Sequence, residues 1–310
     1  MQKLAVIFPG QGSQSSGMLK GFIETFPSVK KRFEEASDII KRDLISITQS
    51  DEHQNLLNLT EITQPALLTA GIACYEVFQQ ECGLEVSYMA GHSLGEYTAL
   101  CASGAIEFAK AVDLVHERGK LMQAAVLHGE GAMAAILGLE DAQVIEACER
   151  VGDGVSAANF NAPGQVVIAG KTAKVEAAIA VAKEMGAKRA LLLPVSVPSH
   201  CDLMRGAAAQ LGVFLDKIQW QVPKCPIVYN VDAKIRDDAD GIVVNLGAQL
   251  YRPVLWTNCV QELVKQGVTH FVEAGPNKVL TGLNKRIDKN VVSLCFENQE
   301  AISEINTNWK

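Results

Sequence analysis

Apolar residues fall into short runs divided by glycine, proline and polar clusters, and the runs alternate between strand-like and helix-like patterns. Leu4-Ala5-Val6-Ile7-Phe8 is continuous and ends at Pro9-Gly10, which predicts a first strand over 4–8. Further strands are predicted over 86–90, 227–230 and 269–273, and helices over 64–81 and 107–123, with more helix in the remainder. Alternating strands and helices argue for an α/β sheet. The middle of the chain behaves differently. A strand over 132–139 and a helix over 141–150 precede short strands over 155–158 and 166–169. The last two flank a turn at Asn161-Ala162-Pro163-Gly164. An Ala-rich helix over 172–185 and a strand over 187–193 follow. The order β-α-β-β-α-β is the ferredoxin-like pattern. It predicts a small subdomain over 127–197 inserted into a larger α/β body made of 1–126 and 198–310.

Composition narrows the class. With 310 residues, 48% hydrophobic and 20% charged, the chain is long enough for one large core or two modest ones. The formal net charge of -7 argues against nucleic-acid binding. No apolar run reaches the roughly 18 residues that span a bilayer, and the 4–8 run is too short for a signal peptide. The eight cysteines at 74, 82, 101, 148, 201, 225, 259 and 295 form no Cys-x-x-Cys pair, so neither a zinc site nor a redox motif is expected. They read as buried free thiols of a soluble protein in a reducing, cytoplasmic compartment.

The chemistry starts at Gly91-His92-Ser93-Leu94-Gly95, a G-x-S-x-G between a predicted strand and a predicted helix. That is the setting of a nucleophile elbow, in which glycines permit a sharp turn and the serine hydroxyl stands at a helix N-terminus. The alternative is a Gly-rich turn that merely contains a serine. In the 107–123 helix, Ala111, Leu114, Val115 and Met122 share one face, and Arg118 falls on that same face. A guanidinium there needs an anionic partner, either an internal carboxylate or a substrate carboxylate. A serine nucleophile also needs a base. Of six histidines, His92 adjoins Ser93 and diverges from it, and His116 shares a helix turn with charged residues. His53, His128 and His270 stand in no special pattern. His200 follows the rigid 194–198 segment at a strand end, where α/β sheets bind ligands; the alternative is a histidine that caps the next predicted helix, over 202–216, or faces solvent. Asp141 and Asp153 sit in no convincing triad position, so a backbone or amide carbonyl is the alternative orienter of the imidazole. The loop Phe8-Pro9-Gly10-Gln11-Gly12-Ser13-Gln14 lacks a phosphate-loop pattern and suits the donation of backbone N–H groups to an oxyanion.

Together these stretches resemble the malonyl-CoA:acyl carrier protein transacylase family of bacterial fatty-acid synthesis, which includes polyketide acyltransferase domains. The resemblance runs in order through the 8–14 loop, Thr63-Gln64-Pro65-Ala66, the 91–97 motif and Arg118-Gly119. It continues through Asn161-Ala162-Pro163-Gly164-Gln165, Pro198-Ser199-His200, Gln249-Leu250 with Pro253-Val254 and Trp256, and Glu273-Ala274-Gly275-Pro276. It implies Ser93 as nucleophile, His200 as base and the amides of Gln11 and Leu94 as the oxyanion hole. Arg118 would bind the malonyl carboxylate, and a carbonyl of Gln249 would orient His200. It implies a hydrolase-like body with a ferredoxin-like subdomain, malonyl-CoA and holo acyl carrier protein as partners, and no metal or bound cofactor beyond the coenzyme A thioester substrate. Rival readings are a serine thioesterase or esterase, a trans-acting polyketide acyltransferase that uses methylmalonyl units, and an inactive carrier-protein scaffold. Because the chain is acidic, docking of an acidic carrier protein calls for a local basic patch. Lys183, Lys188, Arg189, Lys285 and Arg286 are the expected contributors.

Overall fold

The computed structural model describes residues 3–127, 129–195 and 197–309. His128, one of the six histidines weighed as base, and Ser196, in the 194–198 segment, lie outside the described residues. Among the described residues ten strands form two sheets: β1 (Lys3–Phe8), β2 (Tyr88–Gly91), β3 (Gly131–Leu137), β4 (Val155–Ala162), β5 (Gln165–Lys171), β6 (Arg189–Leu192), β7 (Ile227–Val228), β8 (Ile235–Arg236), β9 (Val268–Ala274) and β10 (Val292–Phe296). The larger sheet has the order β10-β9-β1-β2-β7-β8, parallel except for the edge strand β8. The smaller has the order β4-β5-β3-β6 and is antiparallel throughout.

The unbroken apolar run of β1 follows from burial on both faces. Leu4, Val6 and Phe8 join the core on one side of the sheet, and Ala5 and Ile7 join the core on the other. In β5, Val166 and Ile168 pack beneath the helices Asp141–Val151 and Thr172–Glu184. Val167 and Ala169 face the other way, with Met133 and Cys201. β4 is tied to the segment before the helix Trp256–Lys265, where Phe160 N–H donates to the Val254 carbonyl at 2.9 Å and Val254 N–H to the Ala158 carbonyl at 2.9 Å.

Several boundaries differ from the sequence pattern for identifiable reasons. The predicted turn at 161–164 shrinks to Pro163-Gly164, because Ala162 still pairs with Gln165 and Gly164 takes the left-handed φ of 71° a tight hairpin needs. The predicted 187–193 strand ends at Leu192, just before Pro194, which has no N–H for a ladder. The predicted 202–216 helix opens as the 3-10 turn Asp202–Met204 before the α-helix Arg205–Leu215. The predicted 64–81 helix begins earlier, as Thr60–Glu81, and holds Pro65 inside it. Proline strips the Glu61 carbonyl of its usual i+4 donor. His116 takes that place, with Nδ1 2.8 Å from the Glu61 oxygen. This bond explains a polar side chain only 8% exposed, and it removes His116 from the candidate bases. Replacing His116 with leucine leaves that carbonyl unpaired and lowers stability by about 1–3 kcal/mol, measurable by urea unfolding.

Candidate active site

Adjacent parallel strands bring distant residues together. Phe8 pairs with Gly91 and Ala90 with Val228, so the loops after β1, β2 and β7 leave the same edge of the sheet side by side. They carry Gln11, Ser93 and Asn230 to one crevice at the carboxyl ends of the strands. Ser93 stands between β2 and the helix Leu94–Ala102 with φ 50° and ψ -105°, a strained conformation for a residue with a side chain. Only glycine fits the flanking positions. A Cβ on Gly91 would lie 1.9 Å from the Gly95 carbonyl, and one on Gly95 would lie 2.0 Å from the Phe8 oxygen. Sheet and helix therefore cross too closely at the elbow for any larger residue.

His200 Nε2 lies 2.8 Å from Ser93 Oγ, and its Nδ1 lies 2.7 Å from the Gln249 backbone oxygen. The carbonyl fixes Nδ1 as the protonated nitrogen and leaves Nε2 to accept. His200 has φ 62°, and its own N–H donates to the Leu250 carbonyl at 2.9 Å, so loop and helix end are held together. Burial, with the Arg118 charge second, lowers the imidazole to about 3.

Arg118 is 1% exposed, and its partners are neutral. Its guanidinium donates to Gln64 Oε1 at 2.7 Å, Gln249 Oε1 at 3.0 Å and Ser93 Oγ at 3.2 Å, and lies over the Tyr97 ring at 5.0 Å. Among the described residues no carboxylate forms an ion pair with it. Of the two partners the sequence left open, the internal carboxylate is therefore not the one present. The nearest acid in influence is Glu96, which is 0% exposed and pushed up to about 8 by burial.

A cavity of about 180 Å³ opens over Ser93 between the two sheets. The body contributes Gln11, Leu94, Arg118 and His200, and the small sheet contributes Met133, Asn161 and Val167. Leu94, the first residue of its helix, has no intrahelical acceptor for its N–H. The Gln11 amide likewise donates to no other described residue. Both N–H groups are thus free for an oxyanion. Gly10 fits Gln11 into place, since a Cβ there would come within 2.4 Å of the His92 oxygen. Among the described residues no group of three or more His, Cys, Asp or Glu is placed to hold a metal ion.

These features, a serine on a strained turn with a histidine and a buried guanidinium at its hydroxyl, suit transfer of an anionic acyl group. The family described as "Acyl transferase domain" matches residues 6–296. The chain belongs to the acyl transferase family. This acyl transferase is 52% identical over 305 residues to the malonyl CoA-acyl carrier protein transacylase of Escherichia coli (strain K12), with 98% of each chain covered. It is 43% identical to that of Bacillus subtilis (strain 168), covering 97% of this chain and 96% of the relative. Among solved structures, malonyl-CoA:acyl carrier protein transacylase from Xanthomonas oryzae pv. oryzae superposes with a TM-score of 0.96 at 46% identity. That match covers 99% of this chain and 98% of the other. A chain of the complex between a holo type II PKS acyl-carrier protein and its malonyl-transacylase gives 0.96 at 47%, covering 99% of this chain and 100% of that one.

Some residues of the acyl transferase site carry more than the sequence assigned. Gln249 was expected to act through a carbonyl; its side chain also accepts from Arg118 and donates through Nε2 to the Ser93 carbonyl at 3.0 Å. In the sequence Gln64 is only a landmark of the resemblance, and Asn230 only the end of a predicted strand. The available signal for Glu96 was its place as the one charge in the apolar helix LGEYTALCA. Of the expected basic patch, Lys183, Lys188, Arg189 and Lys285 are exposed. Arg286 is exposed as well, and it bonds Gln165 Oε1 and the Pro163 carbonyl at the hairpin tip.

Proposed function

We propose that this acyl transferase moves the malonyl group of malonyl-CoA to the phosphopantetheine thiol of holo acyl carrier protein, through a malonyl-serine intermediate, and so supplies fatty-acid elongation. The observation that carries this reading is the Arg118 guanidinium, buried without an anionic partner among the described residues and 3.2 Å from Ser93 Oγ. Ser93 Oγ attacks the thioester carbonyl while His200 Nε2 takes its proton. The Gln11 and Leu94 amides hold the oxyanion, and Arg118 pairs with the distal carboxylate. The C–S bond breaks, the proton passes from His200 to the sulfur, and CoA leaves as a thiol. In the second half, the pantetheine thiol gives its proton to His200 and attacks the ester. Ser93 Oγ then leaves and recovers the proton. Each step is an acyl or proton transfer between these groups and a coenzyme A or carrier thiol, with no bound cofactor or metal called on.

The strand order β4-β5-β3-β6 and its antiparallel pairing support a ferredoxin-like small subdomain over 127–197. The mainly parallel sheet supports a hydrolase-like body made of 1–126 and 198–310. Among the described residues no helix is long and apolar enough to cross a membrane. All eight cysteines are free thiols, which supports a cytoplasmic setting. Exposed Lys183, Lys188, Arg189, Lys285 and Arg286 are the basic groups offered to an acidic carrier protein.

Incubation with malonyl-CoA and holo carrier protein tests the reading. Malonyl-carrier protein accumulates; rapid release of free malonate without transfer would establish a thioesterase instead. A polyketide carrier protein as natural acceptor is the second reading, favoured by the likeness to the type II PKS pair. The ratio of kcat/KM for the two carrier proteins distinguishes them. The low-lying His200 sets the pH profile. Its pKa is depressed from 6.5 to about 3, so Nε2 stays a free base well below neutrality. Acylation by malonyl-CoA therefore stays flat from neutral pH down to about pH 5, where an ordinary histidine would have lost most of its basic form. The folded protein takes up the His200 proton later than the unfolded chain does. Stability from this group is present above 6.5 and is lost as pH falls towards about 3.

A further inference from the structure

The elbow is held by more than its glycines. Asn230, 0% exposed, spans both limbs of the turn: its Oδ1 accepts the Ser93 N–H at 2.7 Å and its Nδ2 donates to the Gly91 carbonyl at 2.7 Å. Asn230 is itself fixed, because its backbone N–H donates to Glu96 Oε2 at 2.6 Å. We propose that Asn230, fixed by Glu96, is the positioning residue that keeps Ser93 in its strained conformation and aims both the nucleophile and the oxyanion hole. This rests on the reading of Ser93 as nucleophile.

Glycine at 91 and 95 removes clashes and holds nothing in place. A serine at φ 50° and ψ -105° relaxes unless its surroundings fix it. Ser93 precedes the first turn of its helix, so the helix offers its N–H no acceptor, and Asn230 supplies one. The Ser93 carbonyl, bonded by Gln249 Nε2 at 3.0 Å, shares a peptide plane with the Leu94 N–H, which points the opposite way. Asn230 on one side and Gln249 on the other thus set the tilt of the unit that carries both Ser93 Oγ and the Leu94 amide. Glu96 suits the inner end of this chain. Burial raises its carboxyl to about 8, so at neutral pH it is held protonated and places no negative charge behind Arg118. A glutamine at 96 would keep the same acceptor and the same neutrality.

Modification of Ser93 by two reagents tests this, followed by intact mass: malonyl-CoA, and phenylmethylsulfonyl fluoride, which has no carboxylate for Arg118. With either reagent, Asn230→Ala reacts about 100-fold more slowly, as expected when a reacting atom is misplaced by roughly an ångström. Its half-saturation by malonyl-CoA stays within about threefold, because Arg118 is untouched. Glu96→Ala follows Asn230→Ala, and Glu96→Gln restores most of the loss. Should Asn230→Ala fail to fold, the Glu96→Ala and Glu96→Gln pair gives the same comparison. Wild-type labelling rates in Asn230→Ala, or equal losses in Glu96→Ala and Glu96→Gln, would overturn the proposal. If the wild type reacts with the sulfonyl fluoride and takes no malonyl group, the proposed function fails. The sulfonyl fluoride rates still decide on Asn230.

Discussion

Ser93→Ala takes up no malonyl group from malonyl-CoA, and its rate of transfer to carrier protein falls about 10⁵- to 10⁶-fold, the scale on which a serine nucleophile is lost. The fold has no need of the hydroxyl: it bonds only His200 Nε2 and Arg118 Nη2, both part of the same site. Alanine also suits the turn no worse than serine, so the melting temperature stays close to wild type. Intact-mass spectrometry after mixing with malonyl-CoA reads the result directly. A malonyl adduct persisting in Ser93→Ala would move the nucleophile elsewhere.

Arg118→Gln lowers kcat/KM for malonyl-CoA by about 10²- to 10³-fold, corresponding to roughly 3–4 kcal/mol, within the range at stake when one partner of a buried charge pair is removed. Acetyl-CoA, which has no carboxylate to lose, falls far less, so the preference between the two narrows or inverts. The guanidinium has a second effect. Its charge helps to depress His200, so its removal raises the imidazole towards the ordinary range and moves the acid limb of the rate profile upwards. A steady-state comparison of malonyl- and acetyl-CoA across pH separates the two effects. Equal losses for both substrates would show that Arg118 serves the elbow alone and does not select the carboxylate.

The legible parts of the site share a character. Gly91-His92-Ser93-Leu94-Gly95 could be read because a strained turn restricts which residues fit, so the turn writes itself into sequence as glycines. Arg118 could be read because helical period is local, and a guanidinium on an apolar stripe stands out. The Ser93–His200 pairing spans 107 positions; its place at a strand end made His200 one candidate, and the resemblance singled it out. Asn230 and Gln64 gave no sign: an amide at a strand end or in a helix is chemically ordinary until its partners are known. Pro65 shows the same limit in the fold. Local rules start the helix at Gln64, with Pro65 in its first turn, and His116, arriving from another helix, satisfies the carbonyl that lets the helix begin earlier, at Thr60.

By itself, then, the chain determined the α/β alternation, the β-α-β-β-α-β element order of its middle, the elbow and the odd placement of Arg118. All of these follow from periodicity and backbone sterics acting over a few residues. The tertiary structure alone decided that Arg118 is surrounded by glutamines and an aromatic face, that Gln249 touches Ser93, His200 and Arg118 at once, and that Asn230 staples the elbow. Those contacts depend on which strands lie side by side. In a parallel sheet that order is set by packing of both faces at once, and no single segment carries it.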